Sequence, residues 1–194
     1  MKLKTSLIIL GGCFGIFLFI MLPIILSMQD KKEDYVASIK GSEFTLKDVN
    51  NNVVTEKSFQ GPSTALFFGF THCPDVCPMT LNKLSIILER LKKENKSLKV
   101  FFISIDPERD TPEIMKDYLN SFEGKFTGIT GNPEKIFKLS QSWGIASQKI
   151  FSEDGEYTVN HSSPIILLKN GKYVDRITHK DDLKRSIKII KKYL

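Results

Sequence analysis

The chain has 194 residues, 41% of them hydrophobic and 26% charged, with a net charge of +6 at neutral pH. That length suits one domain plus an appendage and leaves enough chain to bury a core, and the absence of internal repeats and low-complexity tracts excludes a repeat array or a disordered tail. Lys2, Lys4 and the segment Lys184 to Lys192 supply much of the positive excess. With no basic stripe interleaved with aromatics, it reads as a solvated helix face, and nucleic acid is excluded as a partner.

In chain order, Lys2 and Lys4 precede an uncharged run over residues 5–28. About 20 apolar residues span a bilayer, so this run predicts one transmembrane helix. Leu10-Gly-Gly-Cys13 looks like a lipoprotein cleavage box, but the apolar run continues past Cys13, which favours a retained anchor. Cys13 is then a small apolar residue within it. The positive N-terminus stays cytoplasmic, so the rest lies on the outer, periplasmic side of the inner membrane. The expected organisation is a cytoplasmic N-terminus and anchor over 1–29, a polar linker over 30–41, and one domain over 42–194. An exported domain lives where disulfides form and persist.

Residues 44–47 and 53–55 flank Asn50-Asn51-Asn52 and predict a hairpin. Next comes Thr64-Ala-Leu-Phe-Phe-Gly-Phe-Thr-His-Cys-Pro-Asp-Val-Cys-Pro78, on which the reading turns. Its apolar run, Ala65 to Phe70, predicts a fully buried strand. Cys73 and Cys77 follow, each before a proline that biases it away from helical dihedrals. Proline is tolerated in the first helical position, so a helix is expected to open at Pro78 with Cys77 just outside its positive end. A thiol there favours the thiolate, the form that binds metals and attacks disulfides. The pair reads as a reactive dithiol.

Apolar residues at helical spacing continue that helix through residue 91. Residues 100–105 predict a second buried strand, ending in Asp106-Pro-Glu-Arg-Asp-Thr111. Pro112 opens a helix to residue 122, and residues 126–130 predict a weaker strand. Asn132 caps a helix that starts at Pro133 and runs to about Trp143. Strands are expected at 145–151 and 157–160, around the turn Glu153-Asp-Gly155, and at 165–168. Asn170-Gly171 signals a hairpin into a strand at 173–177, and an amphipathic helix over 181–193 closes the chain. Strands alternating with helices predict an α/β fold, a central mixed sheet flanked by helices. A dithiol after the first long strand, with a hairpin and helix at the end, makes the arrangement thioredoxin-like.

Three blocks then become recognisable together. Gly69-Phe-Thr-His-Cys-Pro-Asp-Val-Cys-Pro78, Ser104-Ile-Asp-Pro-Glu-Arg-Asp-Thr111 and Val159-Asn-His-Ser162 resemble the Sco/SenC family of copper proteins. The resemblance covers about residues 42–194, and the N-terminal anchor also fits it. It implies a thioredoxin-like domain behind a membrane anchor, binding one copper ion, Cu(I) or Cu(II), through Cys73, Cys77 and His161. It further implies a metallochaperone that assists assembly of the dinuclear copper centre of cytochrome c oxidase, with subunit II as client. Family members act as copper donors, as reductants of that subunit's cysteines, or both. One departure is Asn160, where many members carry Asp; it spares the ligand and alters the charge beside it.

Each residue also has a plainer reading. Two thiolates and an imidazole suit copper, though zinc accepts the same set with a water. Cys73 and Cys77 also fit a redox-active disulfide, and the alternative function is an enzyme, a thiol–disulfide oxidoreductase reducing a periplasmic client. His161 discriminates, because copper binding needs it and simple exchange does not. A peroxiredoxin is weaker, since those enzymes want Thr or Ser where this chain has Phe70. His72 reads as a core or supporting residue, His179 as solvated, and Asp75 as holding the turn. Asp106 is the candidate for orienting a ligand from behind, although a capped turn explains its block equally well. The analogy with thioredoxin suggests a cis Ser163–Pro164 bond.

Overall fold

The computed structural model describes residues 19–25, 27, 39 and 41–194. The chain divides into two units, Met1–Ile39 and Lys40–Leu194. In the first, residues 19–25 are helical, and Phe19, Ile20, Leu22, Ile24 and Ile25 are exposed. Among the described residues no helix is long and apolar enough to cross a membrane. Most of the anchor expected over residues 5–28, Cys13 included, lies outside them.

The second unit is organised around β3 (Thr64–Gly69), whose six residues are all buried. Its neighbours give a seven-stranded sheet in the order β2-β1-β5-β4-β3-β8-β9. The strands are β1 (Thr45–Asp48), β2 (Val53–Thr55), β4 (Lys99–Ser104), β5 (Phe126–Thr130), β8 (Ile165–Lys169) and β9 (Lys172–Ile177). β3, β4 and β5 run parallel, while β8 lies antiparallel on the other side of β3 and β1 antiparallel to β5. The sheet is therefore mixed, as expected. In such sheets ligands gather at the carboxyl ends of the parallel strands, where the strand order reverses. β3 is the strand at that reversal, and the dithiol follows its carboxyl end.

The continuous apolar runs of β3 and β4 follow from burial on both faces. On one face Ala65, Phe67, Val100, Phe102, Ile165 and Leu167 meet α1 (Val76–Lys93), α2 (Pro112–Asn120) and α4 (Leu183–Lys191). On the other, the ring of Phe101 packs edge-on to Phe59, which in turn meets Trp143 at the end of α3 (Pro133–Ser142). Register slips are costly here because a one-residue shift exchanges these two sets of side chains between faces.

Local signals set most boundaries. Asn132 accepts a hydrogen bond from the Lys135 amide, and Asp182 one from the Arg185 amide, capping α3 and α4. Asn170 and Gly171 both take positive φ, 51° and 75°, as the tight turn between β8 and β9 requires. α4 begins at Leu183, two residues later than expected, because Asp182 is its cap. A separate two-stranded ribbon, β6 (Ser147–Phe151) with β7 (Tyr157–His161), stands apart from the large sheet. It carries His161.

Candidate metal centre

The last residue of β3, Gly69, is a glycine for a steric reason. A Cβ there would sit 2.8 Å from the Cys77 sulfur and 2.8 Å from the Phe102 ring. Phe70, almost fully buried, starts the turn: its carbonyl accepts from the Cys73 amide at 3.2 Å, and its own N–H donates to the Cys77 sulfur. α1 then opens at Val76, with Asp75 as its N-cap and the Met79 amide bonded to the Asp75 carbonyl. This corrects the expected start at Pro78. A proline anywhere in the first turn costs no hydrogen bond, since those amides have no intrahelical acceptor. Cys77 is therefore inside the first turn, and Cys73 is the thiol at the helix end.

The two cysteines are free thiols in different settings: Cys77 is buried and Cys73 half-buried. The Cys73 sulfur accepts from the Cys77 amide at 3.5 Å. The Cys77 thiol donates to Cys73, the principal reason the Cys73 pKa falls to about 5; the amides of Asp75, Cys77 and Val76 add to the effect against partial burial. The same hydrogen bond, together with burial, drives the Cys77 pKa far upward. Near neutral pH the reduced pair is one thiolate held by one thiol. That is a charge-assisted hydrogen bond at a positive helix terminus.

His161, the last residue of β7, lies opposite Ser147 in the ribbon. Its ring meets the Phe70 ring edge-on, centroids 5.7 Å apart at 89°. Burial lowers its pKa, so the imidazole is neutral at physiological pH, and its enclosed Nε2 has no hydrogen-bond partner among the described residues. A neutral imidazole with an unpaired buried nitrogen is the form a metal takes. Cys73 and Cys77 are thus brought together, and His161 is brought against the residue that leads into them. Among the described residues no three His, Cys, Asp or Glu side chains already surround one point. The donor types fit a soft metal ion.

Asp106 is wholly buried; it accepts from the Tyr157 hydroxyl at 2.7 Å and from Arg109 Nε at 2.5 Å. The residue missed in the sequence is Asp110, also wholly buried. Its carboxylate accepts from the Thr71 hydroxyl and the Ser104 hydroxyl, each at 2.6 Å, and from the Thr71 amide at 3.2 Å. It therefore ties the dithiol turn to the end of β4. Burial raises its pKa against those hydrogen bonds, and its charge helps hold the proton on Cys77. The signal was a carboxylate closing a polar block right after a buried strand.

Two smaller expectations are corrected. His72 is exposed and not a core residue, because the chain turns after Phe70 and does not continue as a strand; its Nδ1 lies 3.1 Å from the Thr71 hydroxyl and 3.9 Å from Asp110, beside the site. Asp75 holds the turn through its backbone, its amide bonding the Cys73 sulfur and its carbonyl the Met79 amide, while its side chain makes no capping hydrogen bond. The Ser163–Pro164 bond is trans, the majority state for such bonds. His179 is exposed, in keeping with a solvated residue.

A family model described as SCO1/SenC matches residues 32–194. A SCO2-like protein of Rickettsia typhi is 38% identical over 144 residues, spanning 72% of this chain and 71% of that one. Among solved structures, Bradyrhizobium japonicum ScoI with copper bound is 40% identical with a TM-score of 0.72, covering 79% of this chain and 99% of that one. Yeast Sco1 with copper bound is 31% identical with a TM-score of 0.72, covering 79% and 87%. The match runs through the whole second unit and includes both the dithiol turn and the ribbon that bears His161, and the chain belongs to the SCO1/SenC family.

Proposed function

We propose that this protein is a membrane-anchored copper metallochaperone that binds one copper ion through Cys73, Cys77 and His161. Its client is the dinuclear copper centre of cytochrome c oxidase, in subunit II. The anchor is the uncharged run over residues 5–28, which holds the domain on the periplasmic side of the inner membrane. The observation that carries the copper reading is His161. A neutral imidazole with an enclosed, unpaired Nε2 stands against Phe70, the residue whose backbone contacts both cysteines. A buried nitrogen left without a partner costs about 1–3 kcal/mol, which a ligand bond would recover.

The chemistry follows from the donor states. Cys73 is already a thiolate and offers the entering ion its first bond. As the ion binds, Cys77 gives its proton to solvent, because the positive ion replaces the hydrogen bond that had held it. His161 binds without losing a proton. Two soft sulfurs and one nitrogen leave the ion open on its remaining side, where a client thiolate can enter before a donor here leaves. Homologues with copper bound support the choice of metal.

A second reading rests on the asymmetry of the two thiols. The Cys73 thiolate would attack a client disulfide, forming a mixed disulfide and releasing one client thiolate. Cys77, giving up its proton, would then attack the Cys73 sulfur and release the second client thiol. The client gains two electrons and the chain keeps a Cys73–Cys77 disulfide. The two readings separate on titration of Cu(I) and Cu(II) into the full chain, solubilised and reduced without oxygen, and into its His161→Ala variant. One ion per chain with a thiolate-to-copper absorption band, sharply weakened in the variant, supports the chaperone. Weak binding indifferent to His161, with a rapidly exchanging disulfide, supports the oxidoreductase.

A further inference from the structure

The ribbon that carries His161 is built in a way that calls for an explanation. Among the described residues β6 and β7 pair only with each other, and a two-stranded ribbon by itself is marginally stable in water. Side chains of its inner face must therefore hold it to the body. Along β7 that face is Tyr157, Val159 and His161, since alternate residues share a side; Val159 is buried, while Thr158 and Asn160 are exposed.

Tyr157 is gripped from three directions by the loop after β4. Its hydroxyl donates to Asp106 Oδ1 at 2.7 Å. Its carbonyl accepts from an Arg109 Nη at 2.9 Å, and the same guanidinium lies 3.8 Å from the centre of its ring. Arg109 is itself fixed through its Nε by Asp106 Oδ2. On the outer strand, Lys149 reaches over the same ring, 4.5 Å from its centre, and pairs with Glu108 at 2.6 Å. Asp106 and Arg109 thus hold Tyr157, and Glu108 holds Lys149, from a single short loop; Tyr157 stands at the start of the strand that ends in His161.

We propose that Asp106, Arg109 and Tyr157 are positioning residues for His161: they fix the ribbon against the end of β4, so that the imidazole stands where it can close on an ion held by Cys73 and Cys77. This rests on the copper reading given above. It assigns the Asp106 block a task other than capping a turn, and it acts at a distance from the metal.

The test uses the full chain, solubilised and reduced. Tyr157→Phe removes only the hydroxyl and keeps the ring under Arg109. Expected are faster amide exchange across residues 147–161 with the seven-stranded sheet unchanged, and copper affinity about tenfold weaker. Nitrogen hyperfine coupling from imidazole should weaken in the Cu(II) spectrum. In a His161→Ala background the same change should cost no further affinity if Tyr157 acts through His161; a loss that persists there would mean it acts through Asp106, Ser104 and Asp110 on the dithiol turn instead, and would overturn the proposal. Equal losses in both backgrounds would make Tyr157 a general structural residue and overturn the proposal, as would unchanged affinity and spectrum. If Tyr157→Phe does not fold, Arg109→Lys carries the same test, since it loses the fork that holds Asp106 and the Tyr157 carbonyl together. If wild type and His161→Ala bind copper alike, the copper reading falls, and the proposal with it. If His161→Ala weakens binding and Tyr157→Phe does not, the proposal alone falls.

Discussion

The rings of Phe70 and His161 meet edge to face, 5.7 Å apart, and Phe70 is also the residue whose backbone touches both cysteines. One buried side chain therefore links the dithiol to a histidine that lies far along the chain. Phe70→Leu keeps an apolar side chain but removes the ring from a buried site, so a cost in stability of about 1–2 kcal/mol is expected. The wall on which His161 rests is lost, however. The expected outcome is a modestly lowered denaturation midpoint, with a folded protein whose copper binding is weakened, checked by urea titration beside metal titration.

The thiols should differ sharply in reactivity. In the reduced protein without copper, alkylation of Cys73 should follow ionisation with a midpoint near pH 5, the value its hydrogen bonds set. Cys77 should stay unmodified, being buried and protonated. Mass spectrometry of the alkylated chain across pH 4 to 8 reads both. Two thiols reacting together with a midpoint near the ordinary cysteine value would contradict the hydrogen-bonded pair.

The same pair sets a pH window for stability. Cys73 is depressed in the folded state, so its contribution is complete above the unfolded cysteine pKa, about 8.5, and is lost as pH falls toward about 5. Cys77 is raised, so its contribution is present below the unfolded value and is lost as pH rises beyond it. Relative to a Cys73→Ser, Cys77→Ser double variant, the reduced protein should gain stability from pH 5 to about 8.5 and lose it above. Chemical denaturation at several pH values measures this.

Asp110 holds the turn from below. Asp110→Ala leaves the buried Ser104 hydroxyl and the half-buried Thr71 amide without their acceptor, while the Thr71 hydroxyl keeps His72 Nδ1 beside it. An unsatisfied buried group costs about 1–3 kcal/mol. A loss of that size is expected, with the dithiol turn exchanging amide hydrogen faster than the rest of the sheet. Gly69→Ala should cost about 1–3 kcal/mol by overpacking against the Cys77 sulfur.

What was legible in the sequence was local. Asn132-Pro133 marked the start of α3, and Asn170-Gly171 the turn between β8 and β9, because each residue's own chemistry dictates the geometry. The apolar runs of β3 and β4 announced strands buried on two faces. The start of α1 was misplaced because a helix tolerates proline throughout its first turn, so Pro78 marked the turn and not its first residue. Asp110 was not legible, since its partners Thr71 and Ser104 come from two other parts of the chain. The grip on Tyr157 was hidden for the same reason: Asp106 and Tyr157 are neighbours only in the fold.

On the proposed function, two sulfurs and one imidazole hold one copper ion. X-ray absorption at the copper edge, on the full chain loaded with one equivalent of Cu(I), reads the donors directly. Two sulfurs and one nitrogen are expected, with the nitrogen lost in His161→Ala and the sulfurs retained. Two sulfurs alone in the wild type, or a nitrogen that survives the loss of His161, would contradict it.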